Sequence, residues 1–126
     1  MAEILKYKDI TQKVIGASFE VHTFLGNGFQ EVIYQRALAW ELSQAELVFV
    51  REIEQEIFYK LLPEPIGTRR ADFVVEGKVL VELKAVKELE DVHIAQVLNY
   101  LKAYRLEVGL LINFGSKSLT FKRLVL

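Results

Sequence analysis

Residues 70–84 read RADFVVEGKVLVELK and place an aspartate, a glutamate and a lysine inside two apolar runs. The runs are typical of two neighbouring β-strands, in which charged residues are uncommon. Burying an unpaired carboxylate costs several kcal/mol, so buried charges are usually paired or bind a cation. Asp72, Glu82 and Lys84 therefore indicate either a metal site or an ion-paired network.

The connection between the two strands decides which side chains share a face of the sheet. Side chains alternate across a strand, so Asp72 shares a face with Glu82 only if the two lie opposite each other. That register places Phe73 opposite Val81 and needs a three-residue loop at Glu76–Lys78 or a bulge. A two-residue turn would mix apolar and charged side chains on both faces. The hydrophobic pattern favours the three-residue connection.

The spacing of apolar residues changes between helical and extended periods along the chain. An aspartate with a glutamine three residues on, Asp9 and Gln12, is typical of a helix start. The predicted order is helix, helix, strand, strand, strand, helix, strand, strand, at 9–24, 29–45, 47–61, 70–75, 79–86, 91–104, 108–114 and 119–126. This order predicts a mixed-sheet α/β (α+β) fold, with residues 1–126 as a single domain.

The composition excludes several classes of protein. The 126 residues are 52% apolar and 26% charged, which is typical of a well-packed globular domain. The absence of cysteine excludes disulfides, thiolate nucleophiles and cysteine-ligated zinc sites. A net charge of -1 argues against a large nonspecific phosphate-binding surface, although local positive charge can still bind phosphate. No apolar run is long enough to cross a bilayer and no signal-peptide core is present, so we expect a cytoplasmic protein.

Two acids held side by side at the end of a sheet repel each other unless a cation lies between them. Hard divalent cations such as Mg²⁺ prefer oxygen ligands of this kind. Lys84, on the same strand face as Glu82, could orient or deprotonate a water, or stabilise charge developing on a phosphate. A structural ion pair of Lys84 with Glu82 and Asp72 explains the same spacing equally well.

The third predicted helix carries His93, Gln96 and Tyr100 on one stripe, beside its apolar stripe. Such a polar stripe is most often only the edge of a helix.

Three further polar residues precede the strands. Glu31 and Tyr34 share a face of the second predicted helix, where a glutamate is commonly a surface residue and a tyrosine a core residue. His22, at the end of the first helix, is more typical of a capping or packing residue than of a ligand.

Together these residues resemble the PD-(D/E)XK nuclease superfamily and, within it, the GxxExxY proteins. The resemblance covers about 100 residues, and its motifs occur in the family's order. They are Gly28-Phe29-Gln30-Glu31-Val32-Ile33-Tyr34, the preceding segment from His22 with Asn27 where proline is usual, Asp72-Phe73-Val74, Glu82-Leu83-Lys84, His93 with Gln96 and Tyr100, and Gly109 to Gly115.

The resemblance implies a restriction-endonuclease-like core and hydrolysis of phosphodiester bonds in nucleic acid, with DNA the expected substrate, by metal-activated water. Asp72 and Glu82 would bind Mg²⁺ or Mn²⁺, Glu31 would complete or orient the metal shell, and Lys84 would act on the water. Gln96 and Tyr100 would bind substrate. His22 and His93 match the family pattern as well, and we place them with the substrate-binding residues.

Two alternatives to a nuclease stay open from the sequence. The chain could be an accessory module that keeps the nuclease fold and binds nucleic acid or protein, which its near-neutral charge favours. It could also form a homodimer through the last strand, whose apolar residues Leu119, Phe121, Leu124 and Val125 are poorly suited to an exposed sheet edge. A homodimer is compatible with either function.

Overall fold

The structure, a computed structural model, describes residues 6–126. Its elements are α1 (Lys8–Leu25), α2 (Glu31–Gln44), β1 (Phe49–Ile57), β2 (Gly67–Val75), β3 (Val79–Lys84), α3 (Asp91–Tyr104), β4 (Val108–Asn113) and β5 (Thr120–Val125). The predicted order of helices and strands is confirmed. None of these helices is long and apolar enough to cross a membrane, within the described residues.

The five strands form one mixed sheet in the order β1-β2-β3-β4-β5. Neighbouring strands are antiparallel except β3 and β4, which are parallel and are connected through α3. A parallel pair needs a crossover of this kind. β1 and β5 are the two edges of the sheet.

Helices cover both faces of the sheet and bury two separate apolar clusters. Residues of α1 and α2, such as Val14 and Leu38, pack with Phe73 and Ile112 on one face. On the other face, Val97 and Leu101 of α3 pack with Ala71, Leu80 and Leu111. β4 is buried along its whole length, as its continuous apolar sequence predicts.

The register of the β2–β3 hairpin is the predicted one. Phe73 pairs with Val81 and Val75 with Val79, around a three-residue connection in which Glu76 and Gly77 have φ of 55° and 66°. The ladder stops at Phe73, however, so the expected pairing of Asp72 with Glu82 is not a backbone pairing.

The alternation of side chains breaks at Asp72. Phe73 belongs to the cluster under α1 and α2, whereas Ala71, two residues away, belongs to the cluster under α3. On the neighbouring strand, Glu52 has a φ of 53°, and the β1–β2 register has pairs on both sides of Glu52 but none at it. A left-handed residue inside a strand is a local distortion, and the register is the same on both sides of it.

Tyr104 of α3 holds the distorted segment in place. Its hydroxyl accepts a hydrogen bond from the backbone amide of Ala71 at 3.2 Å and donates one to the carbonyl of Ile53. The phenol thus bridges β1 and β2 beside the break.

Some details differ from the sequence expectation. Tyr7 is the N-cap of α1, so Asp9 lies in the first turn and is not the cap. β3 ends two residues earlier than predicted, and residues 58–66 form a connection instead of extending β1. In β5 and the turn before it, Leu119 is buried, Leu124 is half-buried, and Phe121 packs edge-on against Phe19 with ring centroids 6.2 Å apart.

Candidate active site

Asp72 and Glu82 meet where the β2–β3 ladder ends. The backbone amide of Asp72 donates a hydrogen bond to Oε1 of Glu82 at 2.9 Å, and the amide of Leu83 donates one to Oδ2 of Asp72 at 2.8 Å. Each carboxylate therefore takes the place of a backbone carbonyl on the opposite strand. The two acids are fixed by the same hydrogen bonds that close this end of the hairpin.

Glu82 is buried, with 5% of its surface exposed. Burial first, and then the neighbouring Asp72 carboxylate, raise the pKa of Glu82 to about 8, against smaller opposing effects from the Asp72 amide and Lys84. Burial also raises the pKa of Asp72, although its hydrogen bonds from Leu83 and Gln35 oppose that shift. Removing water disfavours the ionised form of each acid. A divalent cation bound by the two acids would favour their ionised forms.

Gln35 is a site residue that the sequence did not single out. Its Nε2 donates a hydrogen bond to Oδ1 of Asp72 at 2.8 Å, and the residue is buried. Gln35 lies four positions after Glu31, on the same face of α2, and this spacing is the signal that could have identified it.

The motif before and inside α2 positions Glu31. Gly28 has a φ of 109°, which favours glycine, and Glu31 is the first residue of the helix. The Tyr34 hydroxyl donates to the carbonyl of Gly26 at 2.7 Å and accepts from the amide of Phe29 at 3.2 Å, while its ring stacks on Phe114. The buried tyrosine therefore fixes the loop that leads into α2, and with it the position of Glu31 at the start of the helix.

Glu31 lies within electrostatic reach of the carboxylate pair. Although much of the residue faces solvent, neighbouring protein atoms desolvate its carboxylate and raise its pKa. Lys84 and His93 oppose this shift, whereas Asp72 adds to it. Three acids and one lysine from α2, β2 and β3 therefore share one electrostatic environment.

The end of β3 is anchored to β4, which fixes the position of Lys84. The carbonyl of Lys84 accepts a hydrogen bond from the amide of Phe114 at 2.8 Å. The buried Asn113 side chain then holds the backbone of Val86, donating to its carbonyl at 2.9 Å and accepting from its amide at 3.0 Å. Asn113 lies within the Gly109–Gly115 segment of the family pattern, but no role was predicted for it.

Gln96 and Tyr100 lie on α3, and the Tyr100 hydroxyl is close enough to Glu82 to be affected by its charge. Nε2 of Gln96 donates to the Tyr100 hydroxyl at 3.4 Å. Burial raises the pKa of Tyr100, and Glu82 raises it as well. The two predicted substrate-binding residues thus lie beside the buried glutamate.

His93 and His22 have structural hydrogen bonds. Nδ1 of His93 accepts from the amide of Glu90 at 2.9 Å and caps α3, while the ring remains close enough to Glu31 to affect its pKa. Nε2 of His22 is 3.0 Å from the carbonyl of Ser116, between α1 and the β4–β5 connection. These hydrogen bonds give both histidines a structural role, and their contact with substrate stays a prediction.

A sequence profile of the PD-(D/E)XK nuclease superfamily matches residues 8–124. The chain belongs to the PD-(D/E)XK nuclease superfamily. Among solved structures, the crystal structure of SSO0001 resembles this nuclease-superfamily chain with a TM-score of 0.56 and 17% sequence identity, a likeness that shows the fold alone. The match covers 98% of this chain and 60% of that one. No curated protein matches the chain significantly.

PD-(D/E)XK nucleases generally use divalent metals. The donor set fits such a cation, because Asp72, Glu82 and Glu31 offer only carboxylate oxygens and no basic side chain within residues 6–126 forms an ion pair with the buried acids. Within residues 6–126, no group of three or more acidic, histidine or cysteine side chains is already gathered around one point. Mg²⁺ commonly binds through only one or two carboxylates and keeps several waters, so the Asp72–Glu82 pair is sufficient.

Proposed function

We propose that this PD-(D/E)XK domain is a divalent-metal-dependent nuclease that hydrolyses phosphodiester bonds. The observation that carries the proposal is the buried Asp72–Glu82 pair at the open end of a strand ladder, with Lys84 two residues further along β3. A pair of acids whose charged forms are disfavoured by burial is typical of a site built for a cation.

In this proposal, Asp72 and Glu82 hold Mg²⁺ or Mn²⁺, and Glu31 contributes from the start of α2. The cation, when bound, supplies Lewis acidity toward a phosphate oxygen and favours deprotonation of water. Gln35 keeps the Asp72 carboxylate oriented, and Asn113 keeps the end of β3 in place. These contacts preorganise the acids.

Lys84 stabilises the negative charge that develops on the phosphate. A positioned ammonium near a developing charge lowers the barrier because it needs no reorientation during the reaction. The water oxygen forms the new bond to phosphorus and loses one proton. The phosphorus–oxygen ester bond breaks, and the leaving alkoxide oxygen takes up one proton to become a hydroxyl group. The products are a phosphate monoester end and a hydroxyl end.

Membership of the GxxExxY group is part of the same proposal. It is supported by the structural use of the motif, in which Gly28 turns the chain, Glu31 lies within electrostatic reach of Asp72, and Tyr34 fixes the loop before α2. We also propose DNA as the nucleic acid, a cytoplasmic location, and residues 1–126 as one domain. A homodimer through β5 has weaker support, since Leu119 is buried and Phe121 is covered in part by Phe19.

Substrate profiling tests the proposed activity. Wild-type protein and Glu82→Ala are incubated with single-stranded, duplex and branched DNA and with RNA, in Mg²⁺, in Mn²⁺ and in EDTA. We expect wild-type cleavage of at least one substrate, dependent on the cation, and a loss of at least about 100-fold in Glu82→Ala. If no substrate is cut under any condition, the proposed nuclease activity is wrong.

A non-catalytic accessory module is the second candidate, and the net charge of -1 favours it. Under that function, Glu82→Ala and Lys84→Ala would bind nucleic acid or protein as wild type does. Cation-dependent cleavage that both substitutions abolish would exclude it.

A further inference from the structure

A groove of about 500 Å³ lies between α3 and the β1–β2 ribbon, next to the carboxylate site. One wall is formed by Ile57 and Arg69 of the ribbon. The other is formed by side chains of α3, namely Val92, Ala95, Gln96, Asn99 and Tyr100. This volume is within the range of small-ligand sites, and the mixture of apolar wall and few polar groups is typical of them.

Arg69, which lines this groove, has side-chain nitrogens without a hydrogen-bond partner in the described part of the chain. Its Nε is buried and has no hydrogen-bond partner within residues 6–126, and its guanidinium forms no ion pair with a carboxylate of that part of the chain. The two terminal nitrogens of the guanidinium also have no hydrogen-bond partner within residues 6–126 and are not buried, so they can bind an anionic ligand in the groove. Phosphate oxygens match this planar guanidinium fork.

The charges of the ribbon favour a nucleic-acid strand on the α3 side. Residues directly opposite in the ladder share a face, and the half-buried face toward α3 carries Gln55 opposite Arg69 and Ile57 opposite Gly67. The exposed face carries Glu54 opposite Arg70, and also Glu56. The acidic side chains of this part of the ribbon therefore point away from the groove.

Tyr100 connects the groove with the carboxylate site. Its pKa is raised by burial and by Glu82, and lowered by Arg69, so the phenol lies within the fields of both residues. An aromatic ring that is partly exposed can stack on a base of either DNA or RNA. A strand whose phosphate lies at Glu82 can thus continue past Tyr100 to Arg69.

We propose that this groove binds one nucleotide of a single nucleic-acid strand adjacent to the scissile phosphate. The Arg69 guanidinium binds a backbone phosphate, and the base lies against the apolar wall of Val92 and Ile57 and the ring of Tyr100. The inference rests on the proposed nuclease function, because it assigns the substrate of that same site. A duplex, whose bases are stacked and paired, cannot offer a base to the groove.

Fluorescence anisotropy tests this subsite in an inactive background. A labelled single-stranded DNA, an RNA of the same sequence and the matching duplex are titrated with Glu82→Gln protein, alone or combined with Arg69→Met. We expect Arg69→Met to weaken single-strand binding about 10-fold, which is typical of losing a charged hydrogen bond. The slope of log affinity against log salt should fall by about 0.7, as for one lost phosphate contact on a single strand.

Two further variants make the test specific. Val92→Glu changes an exposed side chain of the groove, so it should fold and also weaken binding about 10-fold by repelling phosphate. Arg70→Met removes a neighbouring exposed charge on the opposite face and should change affinity less than about 2-fold. Comparing the affinities for the DNA and the RNA shows which of the two nucleic acids the groove prefers.

The outcomes for the groove and for the activity are separable. If the Glu82→Gln protein binds single strands and both groove variants bind equally well, the subsite is wrong while the nuclease function can stand. If wild type cleaves nothing but both groove variants weaken binding, the nuclease function is wrong, while single-strand binding in the groove is confirmed. Duplex binding as tight as single-strand binding, or no binding by the Glu82→Gln protein, overturns the subsite.

Discussion

The backbone amide of Asp72 donates a hydrogen bond to the carboxylate of Glu82, 2.9 Å away, at the residue where backbone pairing between β2 and β3 ends. The amide of Leu83 returns a hydrogen bond to Asp72. The two acids are therefore part of the sheet's own hydrogen bonding. Their positions are set by folding, before any ligand is present.

The pKa of Glu82 makes the stability of the cation-free protein depend on pH. Its folded pKa of about 8 lies above the ordinary value near 4.5, so the folded state holds a proton that the unfolded state has lost between these pH values. The stabilisation is fully present below about pH 4.5 and is lost as the pH rises toward 8. Urea unfolding in EDTA should show this contribution of Glu82 falling by a few kcal/mol, at up to about 1.4 kcal/mol per pH unit.

Glu82→Gln is the matched control for this pH dependence. Its amide oxygen can still accept the hydrogen bond from the Asp72 amide, but the side chain does not titrate. The variant should be more stable than wild type at pH 8 and should have a flatter pH profile. An unchanged profile would mean that Glu82 is not held in its protonated form.

Gln35→Met tests the hydrogen bond that orients Asp72. Methionine keeps the length of the side chain but leaves Oδ1 of Asp72 without its donor, so unfolding free energy should fall by about 1–3 kcal/mol at pH 8. Gln44→Met, an exposed position of the same helix, should change stability by less than about 0.5 kcal/mol. Equal effects of the two substitutions in urea unfolding would argue against the proposed role of Gln35.

The capping role and the predicted substrate-binding role of His93 can be tested separately. His93→Ala removes the acceptor of the Glu90 amide and should destabilise the protein by about 1 kcal/mol. Glutamine at this position can act as the acceptor, so His93→Gln should recover most of that loss. If the imidazole also contacts substrate, cleavage by His93→Gln stays low despite its recovered stability.

Gly115→Ala should damage the junction that holds the end of β3. A Cβ at Gly115 would lie 2.4 Å from backbone atoms of Ala85 and Val86, too close for any atom. We expect a loss of at least about 2 kcal/mol in urea unfolding, since backbone must move to make room. Gly16→Ala, in the middle of α1 where the added Cβ would point into open space, should instead stabilise the protein by about 0.5–1 kcal/mol. A neutral Gly115→Ala would contradict the packing at this junction.

The elements and the hairpin register could be predicted because they depend on local signals. Apolar periodicity identifies each helix and strand, and the alternation of Phe73, Val75, Val79 and Val81 leaves one register that keeps them together. The continuous apolar run of β4 likewise predicts a strand buried on both faces.

The surroundings of the acids could not be predicted in the same way. The break at Asp72 depends on the left-handed Glu52 of another strand and on a hydroxyl that Tyr104 supplies from α3. Asn113 acts on backbone that is distant in sequence. Alternation places Asp72 and Glu82 near each other but does not show that each replaces a backbone partner.

Titration calorimetry with Mn²⁺ tests the central claim, that Asp72 and Glu82 form a divalent-cation site, without needing the substrate. The wild-type protein should bind Mn²⁺, and Glu82→Gln should bind it at least about 10-fold more weakly while keeping the circular dichroism spectrum of wild type. Absence of Mn²⁺ binding by wild type, or equal affinity in Glu82→Gln, would contradict the account.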